Sequence, residues 1–137
     1  MKPFELKELF TLQGHSGVFR LRAPVRKGFL FTKLIDQTKT VIIHDRNHIN
    51  CFADISIITT NEETPRVPLV DVIEYMYELM DTSTEIPKTL PTDEKEIEDL
   101  MELIVPMYSR EEFKIYHQKK LLVWFDEICT ALDMLDS

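Results

Sequence analysis

The chain has 137 residues, 44% of them hydrophobic and 29% charged, with only 3 glycines and a net charge of −8. A chain of this length buries about 68% of its unfolded surface, room for one core or two small ones, and its apolar content is that of an ordinary folded protein, so disorder is not the default expectation. No apolar run approaches the ~20 residues of a membrane span, and the opening MKPFELKELF lacks a signal-peptide hydrophobic region, so a cytoplasmic protein without a membrane partner is expected.

The charge is divided along the chain. Residues 1–60 carry 9 Lys+Arg against 5 Asp+Glu, and residues 61–137 carry 7 against 19. A basic first half suits a polyanion, whereas an acidic helical second half reads first as a solvated face. Cys51 and Cys129 have no second cysteine near them in sequence, which predicts two reduced, mostly buried thiols.

In chain order, Phe4, Leu6, Leu9 and Phe10 fall near helical spacing and predict a short N-terminal helix that must dock to survive. Gly14 and Gly17 then frame a turn. In Val18 to Ala23 the apolar Phe19, Leu21 and Ala23 alternate with Arg20 and Arg22, the period of a half-buried strand, which puts both arginines on one exposed face. Pro24 closes that strand, and Arg26, Lys27 and Gly28 turn the chain into a second one over 29–36. Asp36 to Lys39 makes a hairpin turn into a third strand over 40–44. Residues 45–54 lack alternation and predict an irregular or single-turn bridge before a fourth strand over 55–60. Together these runs predict a small antiparallel β-barrel of SH3-like or Sm-like type.

A polar break at 61–66 precedes a helix whose stripe is Leu69, Val72, Ile73, Met76, Leu79 and Met80, with Pro68 tolerated in its first turn. Residues 82–91 mix Pro, Thr and Ser without periodicity and read as a linker. Thr92 is the expected cap of a third helix with inner face Ile97, Leu100, Met101 and Ile104, ended by Pro106. Ser109 and Glu112 spell a capping box for a short helix. A last helix from about His117 to about Leu135 is expected to bury Leu121, Trp124, Phe125, Ile128, Cys129 and Leu132. The fold class is therefore α+β: a barrel domain with flanking helices over 1–81, the linker 82–91, and a helical domain over 92–137.

LQGHSGVFRL, GFLFTKLID, and DISIITT followed by VPLVDVIEYM occur in this order, with KKLLVWFDEI near the end. In these blocks the chain resembles a family of small uncharacterised bacteroidete proteins, whose first strand is of SGxPGLYKL type and whose last helix is of KKILxWYN type. The resemblance spans nearly the whole chain. It implies a barrel-like N-terminal domain joined to a small helical one, and no activity, cofactor or catalytic residue.

The residues themselves offer little chemistry. His44, Asp45, His48 and Cys51 could present zinc ligands on one helical turn, but Ile49 and Phe52 beside them suit a packed bridge, and no metal is expected. Ser16 beside His15 lies in a turn without a G-x-S-x-G elbow, and no phosphate-cradling glycine loop occurs. Glu94, Glu98 and Glu102 form an acidic ridge without histidine partners. No enzyme and no cofactor is expected.

Two readings remain. The first is an adaptor that binds a protein partner, with Tyr75 and Tyr77 beside the first long helix as interface anchors and self-association open. The alternative is a nucleic-acid binder using Arg20, Arg22, Arg26, Lys27, Lys33 and Lys39 as a polyanion-binding face.

Overall fold

The computed structural model describes residues 4–82 and 90–136. The fold is α+β, and its contacts group into two compact units, residues 1–55 with 124–137 and residues 56–123. The linker predicted over 82–91 falls for the most part on residues 83–89, outside the described residues.

In the first unit, strands β1 (Leu9–Leu12), β2 (His15–Val25), β3 (Gly28–Lys33), β4 (Thr40–Ile43) and β5 (Ile49–Cys51) form an antiparallel sheet in the order β4-β3-β2-β1-β5. The sheet is open. Its edges are β4 and β5, and no pairing joins them among the described residues, so the closed SH3-like or Sm-like barrel expected from the strand runs does not follow from the pairing. Cross-strand partners set the faces, because residues directly opposite one another share a side of the sheet. Phe10 faces Phe19, Leu21 faces Phe31, Phe31 faces Val41, and Phe29 faces Ile43. That row makes one apolar face whose buried centre is Leu12, Phe19, Phe31 and Ile43. Each such side chain contributes about 1.5–3 kcal/mol by leaving water, so this face holds the sheet together.

The same unit contains the second part of helix α3 (Ile115–Asp136), where Phe125, Ile128 and Ala131 are buried. The Trp124 ring lies 5.5 Å from that of Phe52. Glu127, itself buried, accepts the Val18 N–H at 3.1 Å. Gly17 has φ +98°, and a Cβ there would come within 2.6 Å of Glu127 Oε2. Only glycine gives the hairpin both that φ and that closeness to the carboxylate.

In the second unit, β6 (Ser56–Ile58) pairs with β7 (Arg66–Pro68), and the Ser109 N–H donates to the Ile58 carbonyl at 2.9 Å along the other side of β6. Helices α1 (Leu69–Thr82) and α2 (Glu94–Ile104) pack together. The predicted stripes are buried at Leu69, Val72, Ile73 and Met76 in α1 and at Ile97, Leu100, Met101 and Ile104 in α2, whereas Leu79 and Met80, predicted in the α1 stripe, are half-buried.

Several elements differ from the sequence reading. Residues 6–8 form a single 3-10 turn, and the helix predicted over 4–10 gives way to strand β1, because pairing with both β2 and β5 overrides a weak local preference. The predicted fourth strand, ISIITT, is absent from the five-stranded sheet. Ser56–Ile58 builds the second sheet with Arg66–Pro68, read as the end of a polar break and the start of a helix, and the fifth strand of the first sheet comes from Ile49–Cys51 inside the supposed bridge. Asp93, not Thr92, caps α2, its carboxylate accepting the Glu96 N–H at 3.4 Å. Ser109 Oγ accepts the Glu112 N–H at 3.3 Å as a capping box would, but only a turn follows. Trp124, Cys129 and Leu132 are half-buried rather than buried.

Candidate functional site

The apolar face of the first unit is not filled to its end. A hollow of about 250 Å³ opens beside Phe10, Phe29 and Phe31, bordered also by Leu21, Arg46, Ile49, Cys51 and Asp54. The Phe10 and Phe31 rings meet edge-on at 5.3 Å, an arrangement that suits the ring quadrupoles. Leu21 stands 44% exposed at one wall, and Ile49 and Cys51 of β5 form another.

Local backbone chemistry places the two charges at the rim. Asp45 accepts the Asn47 N–H at 2.9 Å, closing the 3-10 turn Arg46–His48. That turn lays the Arg46 guanidinium 5.5 Å from the centre of the Phe29 ring, a cation–π contact. A second 3-10 turn, Phe52–Asp54, buries Phe52 and leaves Asp54 exposed at the hollow. Neither the Arg46 guanidinium nor the Asp54 carboxylate makes an ion pair or hydrogen bond among the described residues.

The six cations singled out in the sequence are not gathered by this sheet. Arg20 faces Thr32, whereas Lys33 faces Phe19, so the two lie on opposite sides. The register slips between Leu21 and Ala23, which puts Arg22 in a bulge and ends the alternation that would align it with Arg20. Arg20 is half-buried with its guanidinium 6.0 Å from the Phe4 ring centre. Arg26 and Lys27 form the β2–β3 hairpin tip, where Lys27 has φ +65° and its carbonyl accepts from His44 Nδ1 at 3.0 Å. Lys39 lies in the turn at the other end of β3, a six-residue strand about 20 Å long. In that turn two bonds from Thr38, at 2.6 and 3.1 Å, hold the Asp36 carboxyl below its ordinary pKa.

The remaining candidates also find places. Tyr75 is exposed on α1 and Tyr77 is half-buried. His44, His48 and Cys51 fall after β4, in a 3-10 turn and in β5 respectively, and the Cys51 thiol donates to the Lys7 carbonyl at 3.2 Å. No grouping of three His, Cys, Asp or Glu side chains able to hold a metal occurs among the described residues. Burial, reinforced by Asp133 and Asp126, pushes the Cys129 thiol up to about 11, which keeps it protonated at neutral pH.

The second unit has its own hollow, about 500 Å³, beside Tyr108 and Arg110. Here Arg110 bonds Glu98 at 3.2 Å and also Glu102, with its guanidinium 5.4 Å from the Tyr108 ring centre, and Lys119 pairs with Glu94 at 3.5 Å. The acidic ridge read from the sequence is therefore bridged by basic side chains.

Neither a family model nor a curated protein matches this chain. It is similar in structure to a protein from the bacteroidete Bacteroides vulgatus, a structural-genomics target solved by solution NMR. The TM-score is 0.63 with 22% identity, over 94% of this chain and 88% of that one. The likeness is one of fold, and it extends through both units. No helix among the described residues is long and apolar enough to cross a membrane.

Proposed function

We propose that this protein is a non-enzymatic interaction module whose first unit holds an apolar anchor of a protein partner in the aromatic hollow. The observation that carries this reading is the uncovered end of the apolar face, where Phe10, Phe29 and Leu21 border open space instead of further core. Aromatic rings already ordered by their own sheet lose little freedom when a partner side chain enters, which favours them as anchors of binding. The polar groups at the rim are a cation and a carboxylate not bonded to each other, rather than a nucleophile set against a base.

The order β4-β3-β2-β1-β5, with a 3-10 turn just before the last strand, suits an SH3-like half-barrel whose open mouth is the hollow. Such a scaffold holds a binding surface on rigid strands in the cytoplasm, and self-association through the same face is the homotypic form of the reading. Nucleic-acid binding is the weaker alternative, because the register divides its candidate cations between both faces and both ends of β3.

Affinity capture with the tagged chain, with and without nuclease, tests the choice. The reading expects protein partners that survive nuclease, are retained by the double variant Arg20→Glu with Arg22→Glu, and are lost with Leu21→Asp, a change at an exposed wall of the hollow. Partners released by nuclease, together with recovered RNA or DNA that the double arginine variant loses, would replace the module by the polyanion reading.

A further inference from the structure

We infer that the segment taken by the hollow is a peptide with one bulky apolar anchor, an acidic residue on the Arg46 side and a basic residue on the Asp54 side. This rests on the hollow being a protein-binding site and adds the chemistry of its occupant. Size gives the first argument. At about 250 Å³ the hollow falls below the roughly 300–1,000 Å³ of small-molecule and cofactor pockets, and its apolar lining suits a single large side chain.

Charge gives the second. Two other carboxylates in the loops that join these strands are engaged locally: Asp36 accepts from Thr38, and Asp45 from Asn47. Arg110 of the second unit, which also borders a hollow, is held by two glutamates. Arg46 and Asp54 stand apart from this pattern, since both border the apolar hollow and neither has a partner of opposite charge among the described residues. The Phe29 face steadies the guanidinium from one side, while its N–H groups, which lie in the guanidinium plane, stay available for a two-bond grip on a carboxylate. Asp54, acceptor-only when ionised, complements an ammonium or guanidinium. Opposite charges at the rim of an apolar site set the direction in which a charged segment lies, which is the main gain from charge pairing at a wet rim.

The test is selection from a displayed library of random peptides against the full chain and its Leu21→Asp, Arg46→Glu and Asp54→Lys variants. All three substitutions are at exposed positions, and each variant is first checked for an unchanged circular dichroism spectrum and melting curve. Peptides selected by the wild type are expected to share a bulky apolar residue with an acid on one flank and a base on the other. R46E should turn the acidic preference into a basic one, and D54K should turn the basic preference into an acidic one. Each reversal should lower binding of the original peptides at least fivefold, with the loss shrinking as salt is added. Anchor-bearing peptides lost with L21D, but with flanking charges random or unchanged by R46E and D54K, would overturn this inference and leave the apolar hollow standing. Failure to enrich any peptide sensitive to L21D would overturn the hollow reading and this inference with it.

Discussion

In the first unit the hollow has Arg46 and Asp54 at its rim with no partner among the described residues, whereas in the second unit Arg110 is bound by Glu98 and Glu102 and rests on Tyr108. Both arginines use an aromatic face as support, at 5.5 and 5.4 Å. The difference is what lies beyond the ring. Where two carboxylates meet the guanidinium, the charge serves local geometry; where none does, it is the group that the proposed function assigns to a partner. A cation beside a hollow is therefore informative only after its own partners have been counted.

Six substitutions test this contrast and the packing that supports it. The largest expected effect is that of Phe31→Ala, which removes the floor of the hollow from a fully buried site and should cost about 3–5 kcal/mol in urea unfolding. A cost below about 1 kcal/mol would mean that the floor is not packed and the hollow has no fixed shape.

Next is Gly17→Ala, which sets a Cβ against the Glu127 carboxylate at φ +98° and should cost about 1–3 kcal/mol. Combining it with Glu127→Ala should be less damaging than the sum of the two, since the second change removes what the first one strikes. Strict additivity in a double-mutant cycle would contradict that account of the hairpin.

Smaller effects separate the two arginines. Arg46→Ala should leave stability within about 0.5 kcal/mol while weakening partner binding, since the residue is exposed and unpaired. Arg110→Ala should cost about 0–1 kcal/mol, as exposed ion pairs do, and leave binding intact. The reverse pattern, read by thermal melting and binding side by side, would mean that the wrong hollow has been chosen.

The smallest effect is a pH dependence in the second unit. His117 Nδ1 accepts the Lys114 N–H at 3.2 Å at the start of α3, which requires that nitrogen to be unprotonated. Burial first, then Lys120 and Lys114, hold its pKa below the ordinary 6.5, with Glu112 opposing. The unfolded chain therefore takes up the proton at a higher pH than the folded one. This contribution is complete above pH 6.5 and is lost as pH falls through that value toward the lower folded pKa. The melting temperature should drop between pH 7.5 and 5.5, and His117→Gln should reduce that drop; an unchanged drop in the variant would remove His117 from the account.

The helices were legible because long amphipathic stripes are over-determined. Leu69 to Met76 and Ile97 to Ile104 repeat their apolar positions often enough to fix both the element and its buried face. The hairpins around Arg26-Lys27 and Asp36–Lys39 were legible from turn chemistry. Strands β1 and β5, of four and three residues, are too short to show a period, and their pairing with each other is long-range information that no local window contains.

That gap hid the site. Phe10 reads as part of a helix when β1 is missed, and Arg46 and Asp54 read as loop charges when β5 is missed, so none of the three is singled out by sequence reasoning. The one available signal was Asp45 with Asn47 two residues on, an Asx-type turn that fixes where Arg46 points. The bulge at Arg22 had no sequence mark, and it ends the alternation that would align Arg22 with Arg20.

The most direct test of the hollow as the binding surface is a map of backbone amide shifts of the full ¹⁵N-labelled chain during titration with a selected peptide. The account predicts that the largest changes fall on Phe10, Leu21, Phe29, Phe31, Arg46 and the 49–54 segment. Changes concentrated in residues 56–123, or at Arg26, Lys27 and Lys39 with the hollow silent, would contradict it.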